Sequence, residues 1–387
     1  MGQDSFTLMK EQNERKIFQI IHREGGVSRK QIAELTGLSP ATVSNITGEL
    51  LERGLIREGG KGKSRGGRRP VLLRLNPGGG FVLGIEWGIN EIRGVLLDLD
   101  LNIIVRDTGV PSGTEVDNFF DITFRLLDNL LQEVEESERV FGLGTGIHGP
   151  VNPETGVALY APHFGWREVP VGEILAGELE FPVFADNDVR MMASSERWRG
   201  RDNFVFINTG PGIGAAVVLE GELLYGRDWS AGEFGHMVIS ENGPTCNCGS
   251  WGCLEAHISV SRLVEEYSSE EVTDSFAGIT RGWMELAGAA RRGEKVASAI
   301  IEDAARHLGI GVVNLVNLLN PESIVIGGAF VEVSELMFPV VEEVVSARAL
   351  RTAGEVEIIP AASGDWSGAV GAGARVLENV FAAGERV

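Results

Sequence analysis

Apolar positions recur at helical spacing near the start of the chain. Over Asn13–Glu24 they are Ile17, Phe18, Ile20 and Ile21, and the stripe stops at Gly25-Gly26. Ser28 then suits the N-cap of a short helix, Arg29–Thr36, with Ile32, Ala33 and Leu35 apolar and Gly37 closing it. Ser39-Pro40 opens a third helix: a cap hydroxyl, then proline at the first helical position, where its missing N–H costs nothing. Val43, Ile46, Leu50 and Leu51 give that helix a buried stripe. Thr42, Ser44, Asn45 and Thr47, together with Ser39, give it a face of short polar side chains able to reach base edges or phosphates. Leu55–Glu58 and Val71–Leu75 predict a hairpin whose tip, Gly59–Pro70, holds five basic residues among five glycines and ends on Arg68-Arg69-Pro70. Such a tip alone is equally a solvated loop. After two short helices joined by a glycine turn it predicts DNA contact, and residues 1–77 predict a winged helix-turn-helix.

The pattern then changes period. Asn76–Gly80 is a linker by composition, and Phe81–Trp87, Ile92–Asp98 and Asn102–Arg106 read as strand, turn, strand, strand. The same order recurs over Asn203–Thr209, Ala215–Glu220 and Glu222–Tyr225, which predicts two related lobes. Helical stretches at Asp117–Glu136, Ala297–Leu319 and Ser367–Phe381 alternate with strands at Val140–Ile147, Val183–Ala185 and Ser323–Ile326. That alternation predicts a largely parallel α/β fold with ligands at the carboxyl ends of strands. The expected lobes are 78–188 and 189–387, with the C-terminal helix able to return to the first.

Charge separates head from body. Residues 1–77 carry 14 Lys and Arg against 8 Asp and Glu, a net of +6, while the rest carries −27 of the −21 total. Only the head can approach nucleic acid. At 387 residues and 43% hydrophobic, the composition is that of a globular chain of two or three domains. No apolar run has the ~20 residues of a spanning helix, and the first ten residues lack a signal-peptide core. A soluble cytoplasmic protein with no membrane partner is expected.

Three constellations carry chemistry. Asp186-Asn187-Asp188 follows the apolar strand Val183–Ala185, which suits either a ligand crevice or the N-cap of a helix Val189–Arg197. His236 lies in Gly232-Glu233-Phe234-Gly235-His236, ahead of Cys246, Cys248 and Cys253, the only cysteines of the chain. One imidazole and three thiolates match a closed tetrahedral Zn²⁺ site of structural type. The alternatives are three reduced core cysteines or a redox switch, and the spacing favours zinc. Thr209–Gly214 is a glycine-rich turn between strands, which is a phosphate cradle or a plain hairpin.

Gly232–His236, the Cys-x-Cys-Gly-x-x-Gly-Cys-x-Glu run at 246–255, and Asn187-Asp188 together resemble the ROK family (repressors, open reading frames and sugar kinases) over nearly the whole chain. The head makes the chain similar to its xylose-repressor-like branch. The resemblance implies an actin-like, ribonuclease-H-like duplicated ATPase fold with a sugar in its cleft. It also implies sugar contacts at Asn187, Asp188, Glu233, His236 and Glu255, with Asp188 at the position of a kinase base and His236 shared with the zinc. Family kinases carry Asp-x-Gly-Gly-Thr where this chain has Glu86-Trp87-Gly88-Ile89-Asn90, so Trp87 and Ile89 are expected to crowd a turn that should hold phosphate. Arg190 stands where kinases commonly have Asn. The expectation is therefore a sugar-responsive repressor, not an enzyme, that binds palindromic operator DNA as a dimer or tetramer and responds to xylose, glucose or a related monosaccharide. The competing expectation is an ATP-dependent sugar kinase with an accessory DNA-binding head. His163, in Ala161–Trp166, is a further candidate to line the cleft.

Overall fold

The computed structural model describes residues 2–61, 69–135, 139–268, 276–350 and 355–381. The head begins with α1 (Gly2–Glu24), α2 (Arg29–Thr36) and α3 (Pro40–Glu52), followed by the antiparallel pair β1 (Ile56–Lys61) and β2 (Val71–Leu75). Local chemistry sets these limits. Ser28 and Gln31 form a reciprocal capping box, Gly37 closes α2 in the left-handed conformation, and Ser39 caps α3 ahead of Pro40. Val27 adds a backbone bridge to Leu73, which ties the wing to the start of α2.

By its contacts the chain divides into two units, 1–200 with 369–387, and 201–368. The boundary lies after Gly200, not after 188, because α6 (Asp188–Trp198) packs on the first sheet. The first unit holds β3 (Phe81–Trp87), β4 (Ile92–Asp98), β5 (Ile103–Gly109), α4 (Val116–Leu131), β6 (Val140–Ile147), a small antiparallel sheet of β7 (Val151–Asn152), β8 (Val157–Ala161) and β9 (Trp166–Val169), then α5 (Val171–Glu178) and β10 (Val183–Asn187). Its main sheet runs β10-β6-β3-β4-β5, parallel from β10 to β3 and antiparallel beyond.

The second unit starts with β11 (Phe204–Thr209), β12 (Ile213–Leu219) and β13 (Glu222–Leu223). It continues through α7 (Leu254–Ile258), α8 (Val260–Tyr267), α9 (Phe276–Arg291), α10 (Lys295–Leu319), β14 (Ser323–Gly328), α11 (Ser334–Arg348) and β15 (Glu357–Pro360). Its sheet, β13-β12-β11-β14-β15, repeats the first: three antiparallel strands, then two parallel additions beside the opening strand. The repeat seen in the sequence is a repeat of topology.

The last helix, α12 (Ser367–Phe381), counts mostly with the first unit. It lies against the sheet so closely that a Cβ on Gly144 would stand 1.8 Å from the Ala372 carbonyl oxygen, so only glycine fits there. Ile85 projects to the opposite face of the sheet from Gly84 and packs with α4 in the apolar core.

The head is docked within the first unit. Phe18 stacks on Phe381 at 4.1 Å, His22 stacks on Trp198 at 4.3 Å, and His22 Nε2 meets the Trp198 carbonyl at 2.7 Å. The connecting segment is not a loose linker despite its composition. Asn76 Nδ2 donates to the Gly54 carbonyl, Asn76 N–H to Leu55, and Leu99 N–H to Pro77. Among the described residues no helix is long and apolar enough to cross a membrane.

Candidate functional site

On the head, Ser39, Ser44 and Asn45 are exposed along α3 and Thr42 is half-buried; the Ser39 and Thr42 hydroxyls bond each other at 2.8 Å. Thr47 does not belong to this face. It is fully buried, its hydroxyl donates to the Val43 carbonyl, and it accepts Arg29 Nε at 2.9 Å. A threonine that satisfies itself within its helix cannot be told from an outward one by residue type. Arg29, at the first position of α2, is thereby fixed by its neighbouring helix, a cation the sequence reading passed over. Arg69 is exposed, and Arg68 lies outside the described residues.

In the first unit the carboxyl ends of β6 and β10 are neighbours, with Asn187 paired to Ile147. Asn187 is the N-cap of α6: its Oδ1 accepts from Val189 and Arg190 N–H at 3.1 Å each. Its Nδ2 donates to the Gly149 carbonyl and to Asp188 Oδ1. Both readings of this segment therefore hold at once, a helix cap at the mouth of a parallel sheet. With these four bonds Asn187 caps α6 and orients the Asp188 carboxylate. Asp188 Oδ2 lies 3.4 Å from His148 Nδ1. Arg190 is buried at 3% exposure against Asp186 at 1%, Nε to Oδ1 at 2.7 Å, and it also donates to the Val151 carbonyl. A buried charge needs such a partner. Arg190 thus locks the strand-to-helix corner beneath Asp188.

The second unit gathers the other motif. Gly252 stands where a Cβ would meet the Ser240 carbonyl oxygen at 1.7 Å, and its φ is +69°. The chain can close on itself there only with glycine. This brings Cys248 and Cys253 sulfurs to 3.8 Å and Cys246 sulfur to 3.6 Å from His236 Nδ1, with all four ligand atoms within 4.8 Å. With Zn–S of ~2.3 Å and Zn–N of ~2.0–2.1 Å, tetrahedral ligands stand about 3.8 Å and about 3.5 Å apart, so the donors fit zinc. Burial pushes the Cys246 thiol up to about 12 and raises Cys253, while backbone N–H donation lowers Cys248. His236 Nε2 faces Glu233 at 3.9 Å. Glu255 bridges the cluster to the glycine turn: Oε2 accepts the Ile213 N–H at 2.9 Å and Oε1 is 4.0 Å from the Cys246 sulfur. Glu233, His236 and Glu255 are thus brought together with the cysteines.

The ROK family model matches residues 82–379, and a winged helix-turn-helix DNA-binding model matches residues 10–57. The chain belongs to the ROK family. It is similar to a xylose repressor of Caldicellulosiruptor bescii, 32% identical over 360 residues, covering 88% of this chain and 89% of that protein. Among solved structures it is similar to a ROK family transcriptional regulator, a homologue of the E. coli Mlc protein, with a TM-score of 0.79, 25% identity and 97% of each chain covered. It is also similar to a ROK family glucokinase from Streptomyces griseus, solved with glucose and AMPPNP, with a TM-score of 0.63 and 25% identity over 76% of this chain and 98% of that one.

The turn after β3 is not crowded by its bulky side chains, contrary to expectation. Trp87 is turned inward, 1% exposed, with its Nε1 donating to Thr123 Oγ1 and its ring against Phe119, Phe120 and Trp166. Ile89 also packs on the core. What occupies the turn is charge. Arg93, opposite Glu86 across the strands, donates to Glu91 at 2.6 and 2.9 Å and stands 3.8 Å from Glu86. The sequence reading missed Arg93 and His148 because both act across strands, which spacing along the chain does not show.

Proposed function

We propose that this protein is a transcriptional repressor whose grip on operator DNA is set by a monosaccharide. The observation that carries the reading is the docking of the head: α6 begins at Asp188 and ends at Trp198, and Trp198 is the residue against which α1 of the winged helix lies. A sugar held at Asp188 acts on one end of a rigid 11-residue helix, and the head rests on the other. Ser39, Thr42, Ser44 and Asn45 meet bases, with Arg29 and Arg69 on the backbone. Asn187 and Asp188 are the sugar-contacting residues of the first unit, and Glu233, His236 and Glu255 are the residues of the second unit assigned the same role. Zinc held by His236, Cys246, Cys248 and Cys253 supplies a structural cross-link, since four protein donors leave no open position. The protein acts in the cytoplasm as a homo-oligomer, a dimer matching a two-fold operator.

Kinase activity is the weaker reading. Phosphoryl transfer needs a loop that neutralises phosphate charge, and here Arg93 is committed to Glu91 and Glu86. Xylose is the first effector to test, with glucose beside it. The sugar changes DNA affinity only by its differential affinity for two states, typically about 1–3 kcal/mol or 5–150-fold. In fluorescence anisotropy with operator DNA, sugar is expected to weaken binding within that range. Asp188→Ala is expected to bind DNA without responding to sugar. An unchanged sugar titration in that variant overturns the site. Sugar-dependent ADP release at kinase rates overturns the function.

A further inference from the structure

Two histidines stand beside Asp188 that the family motif does not include. His148 follows β6, and its ring lies 4.6 Å from that of His163, which follows β8. The turn holding His148 is tied to Asn187 through the Gly149 carbonyl, and His148 Nδ1 reaches Asp188 Oδ2. The 162–165 turn joins β8 to β9 of the small sheet, and His163 is exposed on it.

Resting on the sugar-responsive reading above, we propose that His163, seated by His148, is a specificity-determining residue of the effector site, and that the effector is a free, neutral aldose rather than a phosphorylated or acidic sugar. The electrostatics decide the ligand class. Arg190, the guanidinium under the site, is committed to Asp186 and the Val151 carbonyl. Burial and the adjacent His148 hold His163 below its ordinary value of 6.5 against the opposing pull of Asp188, which favours the neutral imidazole. An anion brought beside Asp188 would meet a carboxylate and two imidazoles, with no guanidinium turned toward it from Arg190. A neutral imidazole, by contrast, both donates and accepts, which suits a hydroxyl that must do the same.

The test is isothermal titration of the full chain with xylose, glucose, N-acetylglucosamine and glucose 6-phosphate, repeated on His163→Ala and His163→Asn. The parent is expected to bind at least one free aldose, with glucose 6-phosphate at least about tenfold weaker. His163→Ala should weaken the preferred aldose by about tenfold, the scale of one lost hydrogen bond, and should change the ranking of the sugars. Asn restores part of the affinity, because it too donates and accepts. Equal affinities and ranking in parent and His163→Ala overturn the inference, as does tighter binding of the phosphorylated sugar. If the parent binds none of the four, the sugar-responsive reading itself falls. A melting curve for each variant separates lost contact from lost fold.

Discussion

The two units open on the same strand-turn-strand pattern and have put it to different uses. In the second, Thr209–Gly214 keeps its glycines: the space at Gly210 is open, and the Ile213 N–H is held by Glu255, which also reaches the cysteine cluster. In the first, the corresponding turn carries Glu86, Glu91 and Arg93 locked in ion pairs, while Trp87 fills the core below. One topology therefore supports a glycine turn braced by a cluster of one histidine and three cysteines in one unit, and a charge-closed turn in the unit that also carries the winged-helix head. The lesson is that two different turns can close the same pair of strands, because the strands on either side are held by their own faces.

The largest effect expected on this contrast is in the second unit. Cys248→Ser should abolish metal in the purified protein and cost more than about 4 kcal/mol, the range of a lost metal site. Because Glu255 joins the cluster to the glycine turn, amide exchange should accelerate at Ile213 and through 232–255 while β3 and β4 stay protected. Loss of protection in the first unit instead would break the comparison.

Next in size is Arg190→Ala in the first unit. Removing one partner of a buried ion pair leaves Asp186 with only the Asn187 N–H and Arg375, 4.0 Å away, and costs about 3 kcal/mol, the lower end for a broken buried pair. Thermal melting of the purified variant reads this directly. A loss under about 1 kcal/mol, the range of exposed pairs, would mean that the corner beneath Asp188 is not held by charge.

The sequence shows what is local and hides what is not. Ser28, Gly37 and Ser39-Pro40 announce the head helices because a cap is made by residues three or four apart. The duplicated sheets show through because each repeats the same run of strands. The small sheet β7-β8-β9 escapes, since its strands are two to five residues long and Val157–Ala161 mixes buried and half-exposed positions. Asn76–Gly80 has the composition of a linker, and only bonds to Gly54, Leu55 and Leu99 make it rigid. Trp87 could face either way, because β3 is apolar on both faces. Of the candidate site, the gathering of His236 with the three cysteines was readable from spacing, and Asp188 from its place after an apolar strand. His148 was not, because it meets Asp188 only through the register that sets Asn187 beside Ile147.

A smaller change sharpens the picture of the first turn. Arg93→Ala removes ion pairs that are partly exposed, so the expected loss is about 1 kcal/mol or less after solvent screening. High salt should reduce the parent's melting point toward that of the variant. If the variant instead loses several kcal/mol, the turn is a structural keystone and not merely a surface cluster of charge.

The finest test is titration at the seam between head and first unit. Burial holds His22 below its ordinary value of 6.5, against the opposing pull of the Trp198 carbonyl. A histidine depressed in the folded state binds its proton more readily when unfolded. Its contribution to stability is therefore complete above pH 6.5 and falls as pH drops below 6.5 toward the folded value. His163 and His257 are depressed too and act with the same sign, so the parent's profile sums all three. His22→Gln removes one contribution, and the difference between the two melting profiles, from about pH 7.5 to about pH 5.5, isolates the seam. A flatter profile in the variant supports the docked head. If the profiles are parallel, His22 does not report the seam, and the docking of the head must rest on the aromatic stack of Phe18 and Phe381 and on the bonds of Asn76 and Leu99.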